Sequence, residues 1–416
     1  VQFNQNVLRR TVGRRGCAAA ACCLLLAPIG GAWADTLSSE SSVGLSSEYA
    51  GNPFLVSSGA RAAEAVALLA NLPATYTSDE QTIDVIARLR EAQTHGDVQL
   101  ISDYQYLDAD WRLNGERNSL VTNLDWNRDS TFYNVYENAA LLGHSLRRLE
   151  EEANLAWKHT LSELSDLQLV GSYDQLNYSR SAGSSVDDYR YSQASVQYDR
   201  TLSERWQWIS SAGFGRYQLS NQAYSSDNRF VQSSVVRTLT ERWSMTAQLG
   251  YSNVDARQQS LICCELVPTD GGYALQLIPV KQSSSRGSAD YALSLERNTE
   301  RLTLDFAASR AIQPSGLGAL LTQDDASIKA TELWTERLTV GANLHASRLS
   351  DPLQRLALGD RRSYDATLSV NWFWTEHWTV GWQATYVLQR ISAQTPVGAG
   401  ATVYLNLTRQ FGRLRL

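Results

Sequence analysis

Beyond residue 34 this sequence has no apolar run near the eighteen residues that a membrane-crossing helix needs. Cysteine is equally scarce. Of five, Cys17, Cys22 and Cys23 precede residue 34, which leaves Cys263 and Cys264 and excludes a disulfide framework. Histidine numbers five in 416 residues, and no spacing of His or Cys matches a zinc site. Gly213-Phe-Gly215 falls within a strand-like run, which excludes a phosphate loop. Neither a cofactor nor a metal is therefore expected. Positive charge is short as well. Residues 1–34 hold four arginines and no acid, so their removal would take the formal charge from −6 to −10. An acidic chain of this kind excludes nucleic acid as a partner.

The first 34 residues read as an export signal. Arg9, Arg10, Arg14 and Arg15 precede an apolar stretch from Cys17 to Ile29, and Ala32-Trp33-Ala34 supplies the small-x-small step before Asp35. The expected organisation is a signal peptide over 1–34 and one outer-membrane domain over 35–416.

What the rest of the chain has is alternation. Trp243, Met245, Ala247, Leu249 and Tyr251 interleave with Ser244, Thr246, Gln248 and Gly250. Segments 302–308, 338–346 and 378–388 repeat the pattern. Period two means a strand with one apolar and one polar face, and about eleven residues is the length a tilted strand needs to cross a bilayer. Mean hydropathy of −0.31 fits such a wall, because lipid-facing and lumen-facing residues average out.

A repeat punctuates the strands. Ser-Glu163-Leu, Ser-Glu204-Arg-Trp, Thr-Glu241-Arg-Trp, Thr-Glu300-Arg-Leu, Thr-Glu336-Arg-Leu and Thr-Glu376-His-Trp lie 41, 37, 59, 36 and 40 residues apart. Each sits between two alternating runs and reads as a tight hairpin turn. A propeller blade would need four short strands per repeat, and here there are two long ones. Tryptophan gathers at these turns: Trp126, Trp157, Trp206, Trp208, Trp243, Trp334, Trp372, Trp374, Trp378 and Trp382, with Trp111 assigned to a loop. Tyr104, Tyr106, Tyr173, Tyr178, Tyr189, Tyr191 and Tyr364 fall on the far halves of the strands and are expected to form the second aromatic girdle.

The expected fold is all-β: a transmembrane antiparallel up-and-down β-barrel of about 18 strands (16 if the first are set aside). Short turns face the periplasm and longer loops the exterior. The early strands are placed near 41–50, 82–92, 97–110, 117–128 and 131–139, and the remainder from 146–160 to 399–413. Residues 60–72 look helical. The 59-residue gap implies one oversized loop near 257–285, in which two apolar runs around Pro-Thr-Asp-Gly-Gly form a hairpin carrying Cys263 and Cys264.

Parity assigns Asp103, Asp125, Arg148, Glu150, Glu152, Lys158, Glu296, Asp305, His345 and Asp365 to the lumen. His95, His159 and His377 are assigned to periplasmic turns. Only His345 projects inward from mid-strand, and no motif places a serine or aspartate beside it, so catalysis is not expected.

Two segments carry resemblances. Val403-Tyr-Leu405-Asn-Leu407-Thr-Arg-Gln-Phe411 resembles the terminal strand that barrel assembly machinery recognises, with five residues beyond Phe411 that depart from it. The opening Val43-Gly-Leu-Ser-Ser-Glu-Tyr49-Ala-Gly-Asn52-Pro-Phe, with the Ser-Glu-Arg-Trp turns that follow, resembles outer-membrane barrels associated with bacterial exopolysaccharide and exosortase systems. That resemblance implies outer-membrane lipid as surroundings and a surface polysaccharide or an envelope protein as partner. It implies either a porin-like conduit or a closed structural barrel, and supplies no catalytic residues.

Overall fold

The computed structural model describes residues 36–98, 100–132, 145–179, 186–220, 224–269, 272–351, 360–391, 396–412 and 414–415, and for residues 259–281 the backbone alone. The proposed signal peptide lies outside the described residues. The elements in chain order are β1 (Thr36–Ser39), β2 (Ser42–Ala50), β3 (Ala63–Thr77), β4 (Gln81–Gly96), β5 (Tyr104–Asn114), β6 (Asn118–Ser130) and β7 (Arg147–Ser162). They continue with β8 (Ser165–Tyr178), β9 (Tyr189–Ser203), β10 (Trp206–Leu219), β11 (Tyr224–Thr240), β12 (Trp243–Thr269), β13 (Gly272–Asn298) and β14 (Leu302–Ser315). The last are β15 (Ala319–Thr335), β16 (Leu338–Ser350), β17 (Arg361–Phe373), β18 (Trp378–Arg390), β19 (Gly398–Gln410) and β20 (Leu414–Arg415).

Each of β2 to β19 pairs antiparallel with its sequence neighbours, and β19 closes on β2 from Thr402↔Ala50 to Gln410↔Ser42. Eighteen strands thus form a closed up-and-down barrel, with no helix among the described residues. Short β1 continues β2: Thr36↔Thr77 and Ser42↔Asn71 keep one register on β3, interrupted at Glu40–Ser41.

The repeated turn motif has a local cause. At five of the six turns a hydroxyl accepts from the backbone N–H two residues on: Ser162 from Leu164 (3.4 Å), Ser203 from Arg205 (3.4 Å), Thr240 from Arg242 (3.3 Å), Thr335 from Arg337 (3.3 Å) and Thr375 from His377 (3.2 Å); at the sixth, Thr299 accepts from Leu302, three residues on (3.0 Å). The hydroxyl takes up an N–H that the tight reversal leaves without a strand partner.

Alternation then sorts the residues. Forty large apolar side chains are exposed among the described residues, Leu249 by 74% and Val231 by 63%. A water-soluble surface carries no apolar field of this extent, so the outer face is a lipid face. Strand parity puts Trp111, Trp157, Trp206, Trp243, Trp334, Trp372 and Trp378 on that face near the tight turns. Three of them lie under an arginine from the residue directly opposite: Arg237 over Trp206 (4.5 Å), Arg297 over Trp243 (5.6 Å) and Arg409 over Trp378 (5.8 Å). An arginine there reaches the headgroups along a ring that is itself amphipathic. Trp374 lies in the β17–β18 turn.

Four expectations need correction. Residues 60–72 are not helical; Ala63–Thr77 is a barrel strand, because its small and apolar residues suit a wall buried by lipid outside and packed loops inside. The wall passes directly from β6 to β7, so it has no place for a strand at 131–139, of which 133–139 lies outside the described residues. The two errors cancel in the count and reverse every direction between them. Trp111 therefore belongs to the tight-turn end, while Trp126 and His95 lie toward the loop end. Of the expected tyrosine girdle, Tyr104, Tyr106, Tyr178, Tyr189 and Tyr191 point inward; Tyr173 and Tyr364 point out, with Tyr49, Tyr251, Tyr291 and Tyr386. The expected hairpin within 257–285 is present, as a two-stranded ribbon that continues β12 and β13 to Thr269↔Gly272, with Cys264 the extra residue at a register shift.

The wall predicts an asymmetry at adjacent positions. Leu249→Arg, in the middle of the outward run Met245–Tyr251, is expected to cost about 2–4 kcal/mol. Gln248→Arg, pointing into the lumen, is expected to cost far less. Urea unfolding of the two variants in lipid vesicles checks this.

Candidate functional site

The candidate site is the lumen, which differs from end to end. In the tight-turn half, inward side chains such as Glu296 and Lys329 remain exposed to solvent. At the loop end, inward side chains are sealed: Leu176, Tyr217 and Val254 have no exposed surface and Ala256 has 1%.

The seal is built largely by one hairpin. β14 follows β13 only as far as Arg310↔Tyr291, and beyond that it pairs with β15 alone, to Ser315↔Ala319. Its tip packs Leu317, Leu320 and Leu321 against Leu176, Tyr178, Tyr189, Tyr217 and Tyr224. Two hydrogen bonds fasten it: the Tyr217 hydroxyl donates to the Ser315 carbonyl (2.8 Å), and the Asp187 N–H to the Gly316 carbonyl (2.8 Å). Glycine is required here. A Cβ on Gly316 would overlap the Tyr178 ring, and Gly318 turns at φ +87°, a conformation that L side chains rarely adopt. Burial, reinforced by the neighbouring Asp188 charge, holds the Asp187 carboxyl above its ordinary value.

A second seal lies at the β2–β6 side. Arg90 donates to Glu48 (2.5 Å), to the Ser102 carbonyl (2.9 Å) and to the Ser102 hydroxyl (3.1 Å), and Ser102 donates to Glu48 (3.0 Å). The ion pair is almost fully buried and draws the 97–103 loop inward. Phe54, Ala63 and Leu100 pack beside it.

Below the seals the wall is charged, and unevenly. Asp108, Asp125, Glu152 and Asp174 stand directly opposite one another in a row across β5, β6, β7 and β8. Like charges in such a row repel, so they persist only with partners or counter-ions. Arg88 pairs with Asp108, Asn154 donates to Glu152 (2.6 Å) and Tyr189 to Asp174 (3.0 Å). Arg148 bridges Asp129 (2.6 Å) and Glu150 (3.5 Å), and Lys158 pairs with Asp166 (3.0 Å). Further round, Asp305 lies opposite both Glu296 and Lys329. Asp103 departs from this set. It pairs with Arg147 (2.8 Å), whose side chain points to the opposite face from Arg148.

His345 is more constrained than its isolation in sequence suggests. Its Nδ1 faces Asp365 (2.8 Å) and its Nε2 faces Asp325 (3.2 Å), so a carboxylate occupies each ring nitrogen and neither is directed at a nucleophile. Sequence parity singled out Asp365 but not Asp325, which only the pairing of β15 with β16 brings beside the ring. Asp108 escapes a parity taken from Asp103, because Asp103 lies in the loop before β5 and is out of phase with the strand, and Asp174 sits at an inward position of β8 that no motif marks. Among the described residues, no three His, Cys, Asp or Glu side chains form a metal-ligand set.

No protein-family profile matches the chain, and no curated protein matches it. Similar folds occur among solved structures. The ferric-catecholate import receptor Fiu of E. coli K12, open form, superposes at a TM-score of 0.47 with 9% identity, over 91% of this chain and 81% of the receptor. OccK11 of Pseudomonas aeruginosa gives 0.44 with 14% identity, over 91% and 96%. OpdL of the same organism gives 0.43 with 10% identity, over 92% and 99%.

Two outcomes test the seals. Arg90→Ala strands the Glu48 carboxylate in the interior and is expected to destabilise the barrel by about 3–5 kcal/mol, whereas the double variant Arg90→Met/Glu48→Gln recovers most of that loss in thermal melts. The Asp187 carboxyl binds its proton more tightly with the hairpin docked than undocked. Docking is therefore firmest at acidic pH and weakens as pH rises through that raised value. Hydrogen exchange of residues 315–321, corrected for intrinsic rates, is expected to show this trend, and Asp187→Asn to abolish it.

Proposed function

We propose that this chain is an outer-membrane conduit for a hydrophilic solute, with a preference for cationic or neutral cargo and a mouth narrowed by the β14–β15 hairpin. The observation that carries this reading is the polar lumen, solvent-accessible in the tight-turn half and lined nearer the loop end by a row of four carboxylates. A barrel that served only as an anchor would gain stability from an apolar or charge-neutral filling, whereas a carboxylate row attracts cations and repels anions in a low-dielectric channel. The lipid face supports membrane residence. Export through a cleaved leader and insertion by the barrel assembly machinery through the strand ending at Phe411 belong to the same reading. The resemblance of the opening strand to barrels of exopolysaccharide systems favours a surface glycan as cargo.

A second reading is favoured by the packed mouth: a closed structural barrel that anchors an envelope partner. Planar-bilayer recordings separate the two. The conduit reading expects cation-selective steps that enlarge when residues 312–320 are replaced by a two-residue turn. It also expects Asp125→Asn/Glu152→Gln to move the reversal potential toward zero in a salt gradient. Silence from both the parent and the shortened hairpin would leave the anchoring reading in place.

A further inference from the structure

The β14–β15 hairpin leaves the wall at both of its edges. β14 stays a strand over 311–315, beyond its last pair with β13 at Tyr291↔Arg310, and β15 meets β16 only from Thr322↔Ser350 onward. β13 also runs on past the parting. Among the described residues no strand pairs with that side of it over 272–290. Two segments of one ladder thus stop pairing with each other while each keeps its strand conformation. A strand edge presents N–H and C=O groups that form a template for another strand.

The segment that fits this template is β14 itself. Continuing the register of Tyr291↔Arg310 sets Ala311 opposite Asp290, Ile312 opposite Ala289, Gln313 opposite Ser288 and Pro314 opposite Gly287. The alternation of the wall persists in that arrangement, with Ile312 and Pro314 turned outward and Gln313 and Ser315 toward the lumen. Sizes match as well. Ile312 and Pro314 meet Ala289 and Gly287, small residues exposed on the outer face of β13.

The docked position is held by burial of Leu317, Leu320 and Leu321 and by the hydrogen bond from Tyr217 to the Ser315 carbonyl. It is also opposed. Ser226 and Asn228 stand opposite Ala256 and Val254, which belong to the cluster that the tip packs against. Each buries a side-chain oxygen that has no hydrogen-bond partner, and so does Asp290 at the parting. A buried polar atom left unsatisfied works against the state that buries it.

Resting on the reading of this hairpin as the element that narrows the mouth, we infer that it is a gate with two seats. In one it lies docked across the lumen, as in this structure. In the other 311–315 is zipped onto β13 in the continued register, which returns the tip to the wall and opens the mouth.

Gln313→Cys/Ser288→Cys, in a chain that also carries Cys263→Ser and Cys264→Ser, tests this after oxidation in lipid vesicles, with the disulfide read by peptide mass mapping. Cysteines directly opposite on adjacent antiparallel strands fall within disulfide reach. The bond is expected to form, and to form about fivefold faster when Tyr217→Phe frees the Ser315 carbonyl. Gln313→Cys/Gln282→Cys, farther along β13 and out of register, is expected to stay open. Heat-modifiable migration verifies that each variant is folded. No bond at 313–288, equal closure at 313–282, or a rate that Tyr217→Phe leaves unchanged overturns the inference. So does a disulfide between two chains carrying Ser288→Cys alone, which assigns the β13 edge to a second copy. Bilayer conductance of the oxidised form keeps the two readings apart. Steps that enlarge on oxidation and shrink on reduction support both, whereas a register-specific disulfide in a silent barrel leaves the two seats in place and overturns the conduit.

Discussion

Backbone hydrogen bonding in the absence of water is the constraint on which this structure depends. An unpaired N–H or C=O in hydrocarbon costs several kcal/mol, so a sheet placed there must have no edge. The β19–β2 seam removes the edge, and with the ladder closed each strand has two faces to fill. Lipid accepts the outer one. The inner one is left to be polar or packed, and this chain does both at different heights. Seen this way, the hydroxyl-capped turns and the Trp–Arg pairs serve one end: they finish strands whose backbone and aromatic ends meet water there.

Closure explains why charge can be arranged in rows. In a globular core a row such as Asp108–Asp125–Glu152–Asp174 would be prohibitive, because desolvation would add to repulsion. A lumen wall holds it beside solvent and partners. The same geometry on the outer wall places Arg348, Arg362 and Arg390 side by side toward the loop end. Strand pairing thus converts residues some twenty positions apart in sequence into continuous lines of one charge.

The mouth obeys different rules from the wall. There the hairpin tip turns both its faces to protein, and Ala319, Leu320, Leu321 and Thr322 are all buried regardless of parity. Segment 60–72 was misread for a related reason. Its inward Ala63, Ala65 and Ala67 are small so that loops can pack over them, and a run rich in alanine and leucine mimics a helix when read alone. That misreading reversed β4 to β6, and it moved Trp111, Trp126 and His95 to the wrong ends even though the total of eighteen strands survived.

Local chemistry written along the chain determined the strands from β7 onward, the turns with their hydroxyl caps, the outward tryptophans and most inward charges, because period-two alternation and tight turns are properties of consecutive residues. Tertiary structure alone decided the carboxylate row, the Asp325–His345–Asp365 clamp and the folded-in hairpin. These depend on the register between strands and on where a hairpin leaves the wall, and no run of neighbouring residues encodes either.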